Sequence, residues 1–150
     1  MEDGNCGMNE QAFKDRTRKF GLAVIRWVET LPKNRTAEVV GRQLLRCGTS
    51  VGANYRAACR GRSISDVIAK LGIVEEEADE AIYWLELLAD LNIASPEQVS
   101  ILAKEADELV AMTVASIKTL RGRRQDGSVG VSKPKERNAE SKIQNLKSKI

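Results

Sequence analysis

From Val67 to Leu88, the positions Val67, Leu71, Val74, Ala78, Ala81, Leu85 and Leu88 fall at alternating steps of four and three without a fault. That 3.5-residue period describes a helix showing one apolar seam to its neighbours along its whole length. Such a seam is buried by other helices packed lengthwise, so it sets the expected fold class: all-α, helix on helix.

The rest of the chain supplies the partners. Phe13, Thr17, Phe20, Val24, Trp27 and Leu31 repeat the same steps, predicting a first helix from Asn9 to Leu31 that Pro32 ends. Thr36 is the expected N-cap of a second helix reaching Arg60, and Gly61 closes it. Ser63-Ile64-Ser65-Asp66 fits a capping box opening the third helix, and Asn92 breaks that helix. Ser95 and Pro96 then supply an N-cap and N1 proline for a fourth helix, lined by Val99, Leu102, Ala106, Leu109, Thr113 and Leu120 to about Arg121. Short links between long helices make sequential neighbours antiparallel, which predicts an up-down-up-down four-helix bundle over residues 9–121. Residues 1–8 are expected to be flexible. The basic, Gly/Ser/Lys-rich residues 122–150 are too poor in apolar side chains to offset their ordering entropy and are expected to form a disordered tail.

Composition narrows the function classes. The chain has no histidine, which removes His-dependent triads, His-ligated zinc and Glu-x-x-His di-iron sites. Cys6, Cys47 and Cys59 form no metal-ligand spacing; Cys47 and Cys59, ~18 Å apart along one helix, cannot bridge each other and read as reduced thiols. No apolar run reaches membrane-span length and no leader pattern opens the sequence, so the expectation is a cytoplasmic protein with no membrane association. There is no phosphate-binding Gly-rich loop, no nucleophile elbow and no dinucleotide fingerprint. The acids Glu75, Glu76, Glu77, Asp79 and Glu80 point in different directions around a helix and read as a solvated face, so no metal or other cofactor is expected. The expectation is a non-enzyme.

Charge is strongly polarised. The net value is +3, yet residues 1–65 hold 12 basic and 6 acidic groups and residues 66–121 hold 4 and 12. Within the basic half, Arg42, Arg46, Arg56 and Arg60 share a ~80° arc of the second helix, opposite Leu44, Cys47, Val51, Tyr55 and Ala58. Gly41, Gly48 and Gly52, together with Cys59, form a small-residue face beside the apolar stripe. Each interior glycine costs ~1 kcal/mol relative to alanine, so the reason expected for them is close approach by another helix, in the bundle or from another subunit.

The run NRTAEVVGRQLLRCGTSVGANYRAACRGRS followed by DVIAKLGIVEEEADEAIYWLELL resembles the bacterial four-helix-bundle family that includes proteins encoded in intervening sequences of large-subunit ribosomal RNA genes. The resemblance covers residues 9–121 and is strongest at Gln43-Leu44, at Ser50 to Asn54, and from Glu77 to Leu85. It departs at Val67, where the family commonly has an aromatic. It implies a homo-oligomeric ring, typically a pentamer, with no assigned catalytic activity. The accessory proteins of diversity-generating retroelements, basic pentamers that bind nucleic acid and a reverse transcriptase, are similar more distantly.

Two functional readings follow. In the first, Arg42, Arg46, Arg56, Arg60 and Arg62 contact the phosphates of RNA or DNA, or a nucleic-acid enzyme, in a shape-tolerant way; Lys14, Arg16, Arg18 and Lys19 add affinity. No aromatics interleave with these arginines to stack bases. In the second, the protein is an assembly module whose arginines pair with Glu77, Glu80 and other carboxylates of helix three, within or between subunits. Gly48, Gly52, Asn54, Glu77, Glu80 and Trp84 are then structural or interface residues, with Asn54 a buried hydrogen-bonding residue that fixes helix register and Trp27 and Trp84 anchors.

Overall fold

A computed structural model describes residues 9–129. They form four helices: α1 (Glu10–Val28), α2 (Arg35–Ala58), α3 (Ile64–Asp90) and α4 (Pro96–Val129), with no strand among the described residues. Each helix packs on its sequence neighbours, α4 closes back on α1 over the smallest interface, and no diagonal pair meets. This is the four-helix bundle that the periodicity predicts.

The predicted stripes are the ones that meet. Phe13, Phe20 and Val24 of α1, Leu44, Cys47 and Val51 of α2, Val74, Ala78, Ala81, Leu85 and Leu88 of α3, and Val99, Leu102, Ala106 and Leu109 of α4 form one buried core. Thr17 and Thr113 are also buried, and each satisfies its hydroxyl on a carbonyl one turn earlier, Phe13 and Leu109 respectively. Val67, Trp27 and Leu31, at the ends of their stripes, are only half-buried. Ile117, which the sequence reading passed over, is buried beside Ala58 and Leu71 in a smaller cluster.

The helix ends differ from expectation in instructive ways. Asn34, not Thr36, caps α2, accepting from the Ala37 N–H at 3.0 Å. Both residues are good caps, and Asn34 has the extended backbone that a cap needs (φ −137°, ψ 162°). Ser63 caps α3 as predicted, but the returning Asp66 carboxylate accepts from the Arg62 N–H rather than from the Ser63 N–H. Gly61 has no positive φ; its role is steric, since a Cβ there would lie 2.3 Å from Val67 Cγ2 and 3.0 Å from the Ala58 carbonyl oxygen. Asn92 ends α3 in the left-handed region at φ 54°. α4 does not stop at Arg121 but runs to Val129. Once a helix exists, each further residue adds one backbone bond, and the Arg-rich stretch continues it with residues 121–127 exposed to solvent. The expected flexible residues 1–8 and the remainder of the expected tail, 130–150, lie outside the described residues.

Candidate functional site

The arginines of α2 have different fates, and helix geometry explains why. Measured from Arg42 at 100° per residue, Arg46 lies ~40° to one side and Arg56 ~40° to the other. The first side faces α3 and the second faces α1.

On the α3 side, the Arg46 guanidinium bridges two carboxylates, donating to Glu77 Oε2 at 3.2 Å and to Glu80 Oε1 at 2.5 Å. Trp84 Nε1 donates to the same Glu80 oxygen at 3.0 Å, while its ring meets Tyr83 edge-on. The hydrogen bond from Arg46, then the one from Trp84, hold the Glu80 carboxyl below its ordinary pKa. Arg46 thus pairs with Glu77 and Glu80, the partners named in the second reading, with Trp84 beside them, and is removed from the set of unneutralised cations.

On the α1 side, the glycines set the spacing. A Cβ on Gly48 would come within 2.9 Å of Val24 Cγ1, and one on Gly41 within 3.3 Å of Val28 and Leu31. The close approach expected of this face is therefore made to α1 of the same subunit. At Gly52 the fit is looser, with Thr17 backbone atoms 3.5 Å from an added Cβ. Asn54 does not fix register between helices: it is half-buried and donates to the Ser50 carbonyl of its own helix at 2.9 Å. Its side chain reaches its own previous turn more easily than a neighbouring backbone. Trp27 is half-buried, with its indole N–H enclosed and without an acceptor among the described residues.

Where the start of α1 meets the end of α2, a polar cleft of about 360 Å³ is lined by Gln11, Lys14, Asp15, Arg18, Arg56 and Arg60. The Lys14–Arg18 and Arg56–Arg60 pairs are each one helical turn apart, so two antiparallel rows of cations face one another across the cleft. Arg18, Arg56 and Arg60 are exposed and enter no ion pair among the described residues; Lys14 pairs with Glu10 at 2.5 Å. Asp15 accepts from the Gln11 amide at 3.1 Å. The cleft continues along the helices into an apolar groove of about 350 Å³, which shares Lys14, Arg18 and Arg56 with it and passes over Gly21, Gly52 and Ala53 between Leu22, Ile25 and Thr49.

Two of the five predicted arginines, Arg56 and Arg60, therefore belong to one site. Arg42 lies apart, bordering a groove with Glu29, Lys33 and Glu38 near the start of α2. Arg62 is exposed in the link before α3. Among the α1 cations, Lys14 and Arg18 join the site, whereas Arg16 turns to α4. There it binds both oxygens of Glu105 at 2.7 and 3.0 Å, contacts Glu108, and places an N–H 3.0 Å from the Met112 sulfur. The carboxylates raise the pKa of Arg16, so the clamp across the thin α1–α4 seam holds a fixed positive charge. The i, i+4 spacing of Lys14 and Arg18 is visible in the sequence; their convergence with Arg56 and Arg60 depends on the two helices being antiparallel neighbours.

Cys47 is buried, and burial pushes its thiol up to about 12; Cys59, half-buried, is also raised chiefly by burial. Both are free thiols with little thiolate at neutral pH. Among the described residues no helix is long and apolar enough to cross a membrane.

Fold and site together define an all-α four-helix bundle with a cationic cleft along one helix pair. Residues 9–115 match the model of the 23S rRNA-intervening sequence protein family, and the chain belongs to that family. A crystal structure of a protein of unknown function from the S23 ribosomal protein family of Bacteroides thetaiotaomicron is similar at 34% identity and a TM-score of 0.67, over 71% of this chain and 98% of that one. No curated protein matches.

Proposed function

We propose that the protein is a non-catalytic, cytoplasmic scaffold that assembles into a homo-oligomeric ring and binds nucleic acid, or an enzyme working on it, through the cleft between α1 and α2. The observation that carries this reading is the convergence of Arg18, Arg56 and Arg60, exposed and without carboxylate partners among the described residues. Like charges held together in a concave site repel each other unless an anion or solvent ions offset them. A phosphate backbone is such an anion, and cations positioned this way bind it irrespective of sequence. Ring assembly repeats the cleft and multiplies avidity without new chemistry.

The test is binding of RNA and DNA across a salt series, with oligomer mass measured in the same buffers. Affinity falling steeply with salt and lost on combined Arg18, Arg56 and Arg60 charge reversal in an intact oligomer supports the reading. An oligomer that binds no nucleic acid at low salt overturns it. The assembly-module reading has one observation in its favour, the Arg46–Glu77–Glu80 bridge, which shows an α2 arginine serving α3 carboxylates. Loss of the oligomer on the same charge reversal would extend that reading to the cleft.

A further inference from the structure

The cleft and the apolar groove form one trough, because Lys14, Arg18 and Arg56 line both. Its two ends differ chemically. One carries Arg18, Arg56 and Arg60 around a polar space that Asp15 also lines, and the other, beyond the shared cations, is lined by Gly21, Leu22, Ile25, Thr49, Gly52 and Ala53. Leu22 and Ile25, 37% and 39% exposed, line its wall at the apolar end. A backbone-only electrostatic surface needs the cations but has no use for the apolar floor. A ligand that satisfies both ends is an anion with a flat apolar body attached.

We propose that the trough is a site for a nucleoside phosphate, its phosphate held by Arg18, Arg56 and Arg60 and its base laid against Leu22, Ile25 and Ala53. The proposal rests on the nucleic-acid reading for the class of ligand and sharpens it from any phosphate to a phosphate with its base. The two parts of the trough, at about 350 and 360 Å³, fall within the range of small-molecule sites. The guanidinium planes offer paired N–H donors to phosphate oxygens. The small residues Gly21, Gly52 and Ala53 keep the floor low, so that a planar ring can lie over helix backbone rather than over side chains. The moiety has two natural sources, the phosphorylated end of a single strand and a free mononucleotide.

The experiment uses the full chain. Adenosine 5′-monophosphate is titrated calorimetrically against inorganic phosphate. Fluorescent single strands of mixed sequence, with a 5′-phosphate or a 5′-hydroxyl and labelled at the other end, are compared in parallel. Adenosine monophosphate is expected to bind ~10-fold or more tighter than inorganic phosphate, the margin of a partly buried base. Ala53→Leu, at an exposed helical position that tolerates leucine, should remove that margin. Any preference for the phosphorylated strand should be lost with it. Preference for the phosphorylated strand supports a strand end as the source; adenosine monophosphate binding without that preference supports a free nucleotide. Equal weak binding of adenosine monophosphate and inorganic phosphate, with no preference between strand ends, overturns the proposal. Strands that nevertheless bind in a cleft-dependent way leave the broader nucleic-acid reading standing. Strands that fail to bind while adenosine monophosphate binds overturn that broader reading and leave the nucleotide site.

Discussion

The two flanks of α2 start from the same material and end differently. Arg46 and Arg56 are long, exposed cations on one helical arc, yet one bridges two carboxylates and the other meets Arg18 and Lys14 across a cleft. The backgrounds differ too. Toward α3 the helix presents larger side chains and closes over a core with Val74, Ala78 and Leu85, whereas toward α1 it presents glycines that let the backbones approach and leave a trough beside them. A charge stripe on a helix therefore has no meaning until the stripe on its neighbour is known. The acid-rich half of the chain neutralises one flank of α2, and the basic start of the chain leaves the other flank unneutralised.

The sharpest way to break this comparison is to reverse charges on each flank. Arg18, Arg56 and Arg60 changed together to Glu should lower nucleic-acid affinity at low salt on the order of 100-fold and flatten the salt slope by roughly 3, about one per lost phosphate contact. Arg46→Gln should leave affinity and slope near wild type while lowering thermal stability. Equal loss of affinity from Arg46→Gln and from the triple variant, read by fluorescence anisotropy across the salt series, would erase the distinction between the flanks.

A smaller effect separates two glycines on the same face. Gly48→Ala pushes a methyl to 2.9 Å from Val24 Cγ1, on a side chain that is fully buried. Overpacking of this kind costs about 1–3 kcal/mol, against a helix-propensity gain of about 1 kcal/mol. The net expectation is a loss of about 1 kcal/mol in urea unfolding. At Gly52 the new methyl meets Thr17 backbone at an ordinary 3.5 Å, so the propensity gain dominates and Gly52→Ala should stabilise by up to about 1 kcal/mol. Opposite signs at two positions one helical turn apart would confirm that the α1–α2 approach is tightest at Val24 and relaxes toward the trough.

These contrasts mark how far the sequence could be read. The α3 seam from Leu71 to Leu88 is buried at every position named, because a 3.5-residue count needs nothing but the order of residues. The stripes on α1, α2 and α4 were legible for the same reason, and Ser63 and Ser95 announce their helices through local cap chemistry. The α2 cap was misplaced because Asn34 and Thr36 are both competent and only the backbone decides between them. The cationic arc was visible but its division was not. Whether Arg46 or Arg56 finds a carboxylate depends on which neighbour lies on which side, and no local pattern carries that information. Arg16 shows the same limit: beside Lys14 and Arg18 in sequence, it points to α4 and meets Glu105.

The smallest predicted effect is also the most specific to the neutralised flank. Glu80 has a carboxyl pKa lowered below 4.5 by Arg46 and then by the Trp84 N–H. A carboxyl that ionises more readily in the folded state than in the unfolded one adds stability above its unfolded pKa, and that stability is lost as pH falls through the folded value. Glu80→Gln keeps an acceptor for both donors but removes the charge. The variant should therefore melt below wild type at pH 7 and converge on it as pH drops below 4.5. Asp66 and Glu10, lowered chiefly by Lys70 and Lys14, titrate in the same window in both proteins and cancel in the difference. The cleft supplies the contrast. Arg56 enters no ion pair among the described residues, so Arg56→Gln should show a melting-temperature difference from wild type that does not change between pH 3 and 7. A pH-dependent difference for Glu80→Gln beside a flat one for Arg56→Gln, followed by circular dichroism, would locate the titrating bridge on the α3 side of α2. A flat difference for both would mean that the Arg46 bridge is too solvent-screened to be felt in folding.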